Sequence, residues 1–123
     1  MILGLGFDIV SVDRMRNSWE RFGLKIARRI LHPDELAALP GQPATFLASR
    51  FAAKEAAVKA LGTGFAGGIL PQDFLVRNNP TGKPYLLMSG KAAERFVQLG
   101  GSCIHLSISH ERDTAGAVVV LEA

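Results

Sequence analysis

The chain has 123 residues, 48% of them hydrophobic and 20% charged, with a net charge of +3; that suffices for one compact domain and not for two, so a single domain over residues 1–123 is expected. No apolar run approaches the roughly 20 residues of a membrane helix, no nucleic-acid motif is recognisable, and one Trp and one Tyr leave little for base stacking. The lone Cys103 excludes a disulfide framework and a cysteine cluster around a metal, and suits a reducing, cytoplasmic setting.

Met1 to Val10 alternates as a strand, with Leu3, Leu5, Phe7 and Ile9 on one side and Ile2, Gly4, Gly6, Asp8 and Val10 on the other. It lacks the basic start of a signal peptide. Asp13 is placed to cap a helix beginning at Arg14, which weakens near Gly23 and resumes to about Leu31. Pro33 starts a short helix, "PDELAAL", ended by "PGQP". A long helix follows from about Phe46 to Leu61. After the "GTGFAGGILP" loop the period changes. "DFLVRNNPTGKPYLLM" reads as a hairpin, and Ser89 to Leu99 as an amphipathic helix stopped by Gly100. "CIHLSIS" and "AGAVVVLE" read as strands paired across the "HERDT" turn. Helices early and hairpins late predict an α+β fold, a mostly antiparallel sheet with helices packed on one face.

The long helix poses the chemical question. At ~100° per residue Leu47, Phe51, Val58 and Leu61 share a face with Lys54 at its centre, and the other sides are mostly alanine. Such a helix is normally enclosed, and burying Arg50, Lys54, Glu55 and Lys59 without partners would be expensive. Asp8 lies on a strand side stripped of bulk by Gly4 and Gly6, where a ligand or another backbone can approach. An Asp8–Glu55 pair beside phosphates would be the usual protein share of a Mg²⁺ site. The plain alternatives are tight helix-on-sheet packing at the glycines, a Glu55–Lys59 helix salt bridge of about 0.2–0.5 kcal/mol, and a snorkelling Lys54.

Other motifs are weaker. "GTG" at Gly62–Gly64 is a helix stop or a ligand loop, and not a Walker loop. His105, Ser107 and Ser109 share a polar strand side that ends at His110, without the G-x-S-x-G elbow of a hydrolase. Arg14, Arg21, Lys25 and Arg28 align on one helical face beside Met15, Trp19, Phe22 and Ile26. That is a solvated face or a docking stripe for an acidic helical protein.

Together these segments resemble one family over nearly the whole chain, the holo-[acyl-carrier-protein] synthases, small bacterial 4′-phosphopantetheinyl transferases. "GLGFDIVSVDR" looks like the opening strand with its aspartate, "FLASRFAAKEAAVKALGTG" like the signature helix and loop, and "GKPY" and "SISH…AGAVVV" like the closing segments. The resemblance implies Mg²⁺-dependent transfer of phosphopantetheine from coenzyme A to a serine of apo acyl-carrier protein, supporting fatty acid biosynthesis and releasing adenosine 3′,5′-bisphosphate. It also implies a homotrimer with active sites between subunits. By the same resemblance Asp8 and Glu55 are metal ligands, and Glu55 and Lys59 serve catalysis. Lys54, Lys59, Gly62, Thr63, Gly64 and His110 shape the coenzyme site, and Arg14, Arg21 and Arg29 meet the acidic carrier. The residues alone leave two alternatives open: a metal-dependent phosphohydrolase using the same carboxylates, and a non-enzymatic module binding an acidic partner through the basic stripe.

Overall fold

In the computed structural model, which describes residues 1–123, the chain folds as five strands and five helices. Strand β1 (Ile2–Ser11) leads into α1 (Val12–Phe22), α2 (Leu24–Ile30), the one-turn α3 (Pro33–Leu36) and the long α4 (Ala44–Leu61). A hairpin of β2 (Phe74–Asn78) and β3 (Pro84–Met88), helix α5 (Gly90–Gln98), and strands β4 (Cys103–His110) and β5 (Thr114–Glu122) complete it. The α+β expectation holds, with the strands divided between two antiparallel sheets: one in the order β1-β5-β4, the other the β2–β3 hairpin. The last strand is thus the central one, pairing Asp8 with Ala117 on one side and His110 with Ala115 on the other.

Helix α4 lies on the inner face of the larger sheet at unusually short range. A Cβ at Gly4 would stand 2.0 Å from the Ala60 carbonyl oxygen, and one at Gly6 only 1.7 Å from that of Ala56. Glycine in β1 and alanine in α4 are therefore two halves of one seam. The bare side of β1 serves backbone approach by a helix, the packing alternative, and not by a ligand. The seam fixes the register of α4 against β1 and sets Glu55 and Lys59, next to Ala56 and Ala60, beside Asp8.

Two apolar clusters share α4. One joins its C-terminal half to Phe74, Val76, Leu86, Val119 and Leu121; the other joins its N-terminal half to Val12, Met15, Ile30 and Leu31. Each large side chain so buried contributes roughly 1.5–3 kcal/mol. Helix α4 is thereby enclosed by its own chain, and the uncovered apolar surface lies elsewhere. On the outer face of the sheet Leu5, Phe7 and Ile9 are 65%, 54% and 60% exposed.

Local details correct the sequence reading. Ser11, not Asp13, caps α1, its hydroxyl oxygen accepting from the Arg14 amide at 3.1 Å. Asp13 falls inside the first turn and pairs with Arg16 at 2.6 Å. The weakening expected near Gly23 is a full break there, so the basic residues of 14–29 divide between α1 and α2 rather than lining one helix. Helix α3 stops after one turn, and α4 begins two residues early, at Ala44.

Candidate active site

The β1–α4 seam gathers three charged groups. Lys59 reaches across to β1, where its ammonium donates to the Phe7 carbonyl and to Asp8 Oδ1, both at 3.0 Å. The alternative of a Glu55–Lys59 helix salt bridge gives way to this cross-element pair. Asp8 and Glu55 line one cleft of about 350 Å³ together with Arg14, Ser18 and Phe51. Burial first, and the Asp8 charge second, raise the Glu55 carboxyl above its ordinary range, with Lys59 opposing them.

The chemistry of the donors in this cleft tests the fit of a cation. The donor set is all oxygen, hard and carboxylate-rich, which suits Mg²⁺ and leaves room for waters and phosphate oxygens. Asp8 and Glu55 are the side chains able to hold it.

The remaining predicted residues fall in different places. Arg14 lines the same cleft, exposed on α1. Arg21 follows it two turns later, stacked over the Phe22 ring at 5.1 Å, and Arg29 is exposed on α2. Met15 is buried in the core and is unavailable as an apolar anchor, whereas Phe22 stands half exposed. Gly62 takes a left-handed conformation as the C-cap of α4, and Thr63 hydrogen-bonds within the loop, to the Gly64 carbonyl at 2.8 Å. Thr63 also lines a separate cleft with Lys91 and Arg95. His110 is exposed at the end of β4, in register with buried Ala115, and borders a shallow cleft with Phe7, Ile9 and Ser109. The single chain does not bring it to the Asp8–Glu55 cleft.

Lys54 neither snorkels nor faces that cleft. It is wholly buried, its ammonium 2.6 Å from Glu35 Oε1 and 2.7 Å from the Ile30 carbonyl oxygen. Glu35 is the residue sequence reasoning missed. Its Oε1 also accepts from the His32 amide at 2.8 Å, and its Oε2 from the Val76 amide at 3.0 Å. The available signal was its place three residues into a proline-started helix, where a glutamate closes a capping box. Arg50 completes the group: its guanidinium lies 4.1 Å over the Phe46 ring, and its buried Nε has no hydrogen-bond partner. Burial lowers its pKa, and the Glu35 charge works against that. It lines a further cleft with Arg77, Asn78 and Tyr85.

With this geometry in place, residues 4–117 match the 4′-phosphopantetheinyl transferase superfamily. The holo-[acyl-carrier-protein] synthase of Nitratidesulfovibrio vulgaris is 56% identical over 124 residues, with both chains covered in full. The crystal structure of holo-[acyl-carrier-protein] synthase from Neisseria meningitidis superposes with a TM-score of 0.90 at 41% identity, again over the whole of both chains. The Helicobacter pylori enzyme of that name, in complex with coenzyme A, does so with a TM-score of 0.84 at 31% identity, covering 96% of this chain and 99% of its own.

Proposed function

The chain belongs to the 4′-phosphopantetheinyl transferase superfamily and is a transferase, and we propose that it is a holo-[acyl-carrier-protein] synthase. It moves the 4′-phosphopantetheine group of coenzyme A onto a serine of apo acyl-carrier protein, releases adenosine 3′,5′-bisphosphate, and supports fatty acid biosynthesis in the cytoplasm. The observation that carries this reading is the Asp8–Glu55 carboxylate pair in one cleft with Arg14, with Lys59 paired to Asp8.

In this mechanism Asp8 and Glu55 would hold Mg²⁺, which would supply positive charge to the phosphate oxygens of the substrate. Lys59 is steadied by the Phe7 carbonyl and Asp8, and its third N–H is left to meet a phosphate oxygen. Phosphoryl-type transfer spreads charge over oxygens, so positioned cations do most of the work. The attacking serine hydroxyl loses its proton on the way, and the Asp8 and Glu55 carboxylates are the groups in the cleft able to receive it. Arg14, with Arg21 and Arg29 beyond it, steers the acidic carrier so that its serine arrives at this cleft. The Gly62–Thr63–Gly64 loop borders the coenzyme.

The apolar outer face of Leu5, Phe7 and Ile9 supports a homotrimer in which sheets meet across it. His110, which borders a shallow cleft with Phe7 and Ile9 at the end of β4, then serves the boundary between subunits rather than its own chain's cleft. Intact-mass measurement of apo carrier protein tests the reaction. A phosphopantetheine increment should appear only with this protein, coenzyme A and Mg²⁺ all present. Coenzyme A consumed with no gain of carrier mass would establish a hydrolase instead, and carrier binding without coenzyme turnover a docking module.

A further inference from the structure

The loop from Gly62 to Leu70 is poorly equipped to hold its own shape. Gly62, Gly64, Gly67 and Gly68 all take positive φ, and glycine has more backbone freedom to lose on ordering than any other residue. Between Thr63 and Leu70 one backbone hydrogen bond is internal, from the Ile69 amide to the Ala66 carbonyl at 3.3 Å. Phe65, edge-on to Phe74, and buried Ile69 pin its middle. Its two ends are held by α5.

At the exit, Asp73 Oδ2 accepts from the Leu70 amide at 3.2 Å and from the Ala92 amide, in the first turn of α5, at 3.4 Å. The Asp73 amide returns a bond to the Leu70 carbonyl at 2.9 Å, and the Asp73 carbonyl accepts from the Ser89 amide at 2.8 Å. Ser89 makes no side-chain capping bond to α5, so a carboxylate from the neighbouring turn serves that helix end. The fit is close: a Cβ at Gly90 would stand 2.8 Å from Asp73 Oδ1. At the entry, Arg95 Nε donates to the carbonyl of Leu61, the last residue of α4, at 3.3 Å. Ala92 and Arg95 are three residues apart, on one side of α5. One short helix thus clasps both ends of the loop, and Thr63, Ala66, Lys91 and Arg95 line the cleft of about 290 Å³ between them.

We propose that Asp73 and Arg95 are positioning residues for coenzyme binding: they fasten the loop to α5 at both ends, so that the Gly62–Thr63–Gly64 turn is presented in one shape. On the transferase reading that turn borders the coenzyme, and the role of both residues rests on that reading. Neither residue lines the Asp8–Glu55 cleft or lies on α1, where the carrier docks in the same reading. Their effect therefore falls on one substrate. A loop correctly fastened a tenth of the time binds its ligand about tenfold more weakly, because apparent affinity scales with the competent fraction.

The test joins steady-state kinetics of the full chain, with coenzyme A, Mg²⁺ and apo carrier protein, to amide exchange over residues 62–70. Asp73→Ala and Arg95→Met should each raise the KM for coenzyme A about tenfold and leave that for the carrier unchanged. Asp73→Asn keeps an acceptor oxygen in the same place and should restore most of the affinity. Exchange over residues 62–70 should quicken in Asp73→Ala with β1 unaffected, and coenzyme A should slow it in the parent. If Asp73→Ala does not fold, Arg95→Met and Asp73→Asn carry both measurements. Equal rises in the two KM values would make these residues general stabilisers and overturn the proposal. Loop exchange indifferent to the substitutions or to coenzyme A would overturn it as well. A parent whose loop coenzyme A protects, while the carrier gains no mass, would overturn the transferase reading and support the fastening.

Discussion

Two lysines of α4, five residues apart, make two very different ion pairs. Lys54 and Glu35 sit 2.6 Å apart with side chains 0% and 2% exposed. Lys59 and Asp8 sit 3.0 Å apart at 51% and 18%. In the first pair both Glu35 oxygens are occupied, and its backbone donors come from α3 and β2, so the pair ties three elements together. In the second the carboxylate is left beside another, Glu55, whose carboxyl is raised by burial first and by the Asp8 charge second. A buried pair whose hydrogen bonds are met holds a fold; a half-open one with charge left over is ready for a ligand.

The largest effects should come from breaking the inner pair. Lys54→Ala or Glu35→Ala strands a charge in the core and should cost about 3–5 kcal/mol in urea unfolding. The Glu35→Leu/Lys54→Met double variant should recover part of the loss, held back by the orphaned Val76 and His32 amides at about 1–3 kcal/mol. A single variant as stable as the parent would erase the distinction between the pairs. Next comes the outer cluster. Asp8→Ala or Glu55→Ala should lower kcat/KM by about 10²–10³, the scale of removing a principal electrostatic group, with the melting temperature kept. Unchanged turnover in either variant would remove the metal-site reading. Lys59→Met, at an exposed pair, should change stability by no more than about 1 kcal/mol, yet lower kcat/KM measurably. Stability lost with activity kept would make Lys59 a structural residue. Arg14→Glu should raise the apparent KM for the carrier and leave that for coenzyme A nearly unchanged, an effect that added salt reproduces in the parent. Impairment confined to coenzyme A would move Arg14 into the nucleotide site.

The smallest effect sharpens the comparison through pH. In metal-free protein the Glu55 carboxyl is raised above its unfolded value, so folding is favoured while it is protonated. That advantage is complete below about pH 4.5 and is lost as pH rises through the folded value. Glu55→Gln lacks the loss, so it should melt slightly higher than the parent at neutral pH and converge with it in acid. Mg²⁺ should close the gap by stabilising the parent alone. A gap that widens in acid would contradict the direction of the shift.

Most of the architecture was legible because it is written in local signals: alternation in β1 and β4, the Asn/Pro/Gly turn of the hairpin, the alanine-rich helix. The β1 glycines and α4 alanines were each visible, but their meeting as one seam is a long-range fact that periodicity does not carry. Ser11 displaced Asp13 as the cap because α1 starts two residues earlier than the apolar pattern suggested. Asp8 and Glu55 were paired from the residues themselves and Lys59 joined them through the resemblance; the structure lines one cleft with both carboxylates and pairs Lys59 with Asp8. Lys54 was the harder case. A lysine on an apolar stripe has two ways out, solvent or a buried partner, and the partner lay on a one-turn helix whose glutamate carried no periodic signal. His110 shows the opposite limit: its strand was plain in the sequence, but which residues of β1 it would meet depends on sheet order, and that depends on the last strand.

Sheet order also sets when the site can exist during synthesis. Strand β1 is the first element made, and its only strand partner is β5, the last, with Asp8 in register with Ala117. Until β5 is available, β1 has an unpaired backbone edge, and both its apolar side and its glycine side lack the sheet that positions them. Pairings so distant along the chain are slow to form and exposed to aggregation while they wait. Asp8 is therefore held in place only after nearly everything else has been built, and a nascent chain truncated within β5 would carry every proposed metal and phosphate ligand of the site with no fixed place for the first of them.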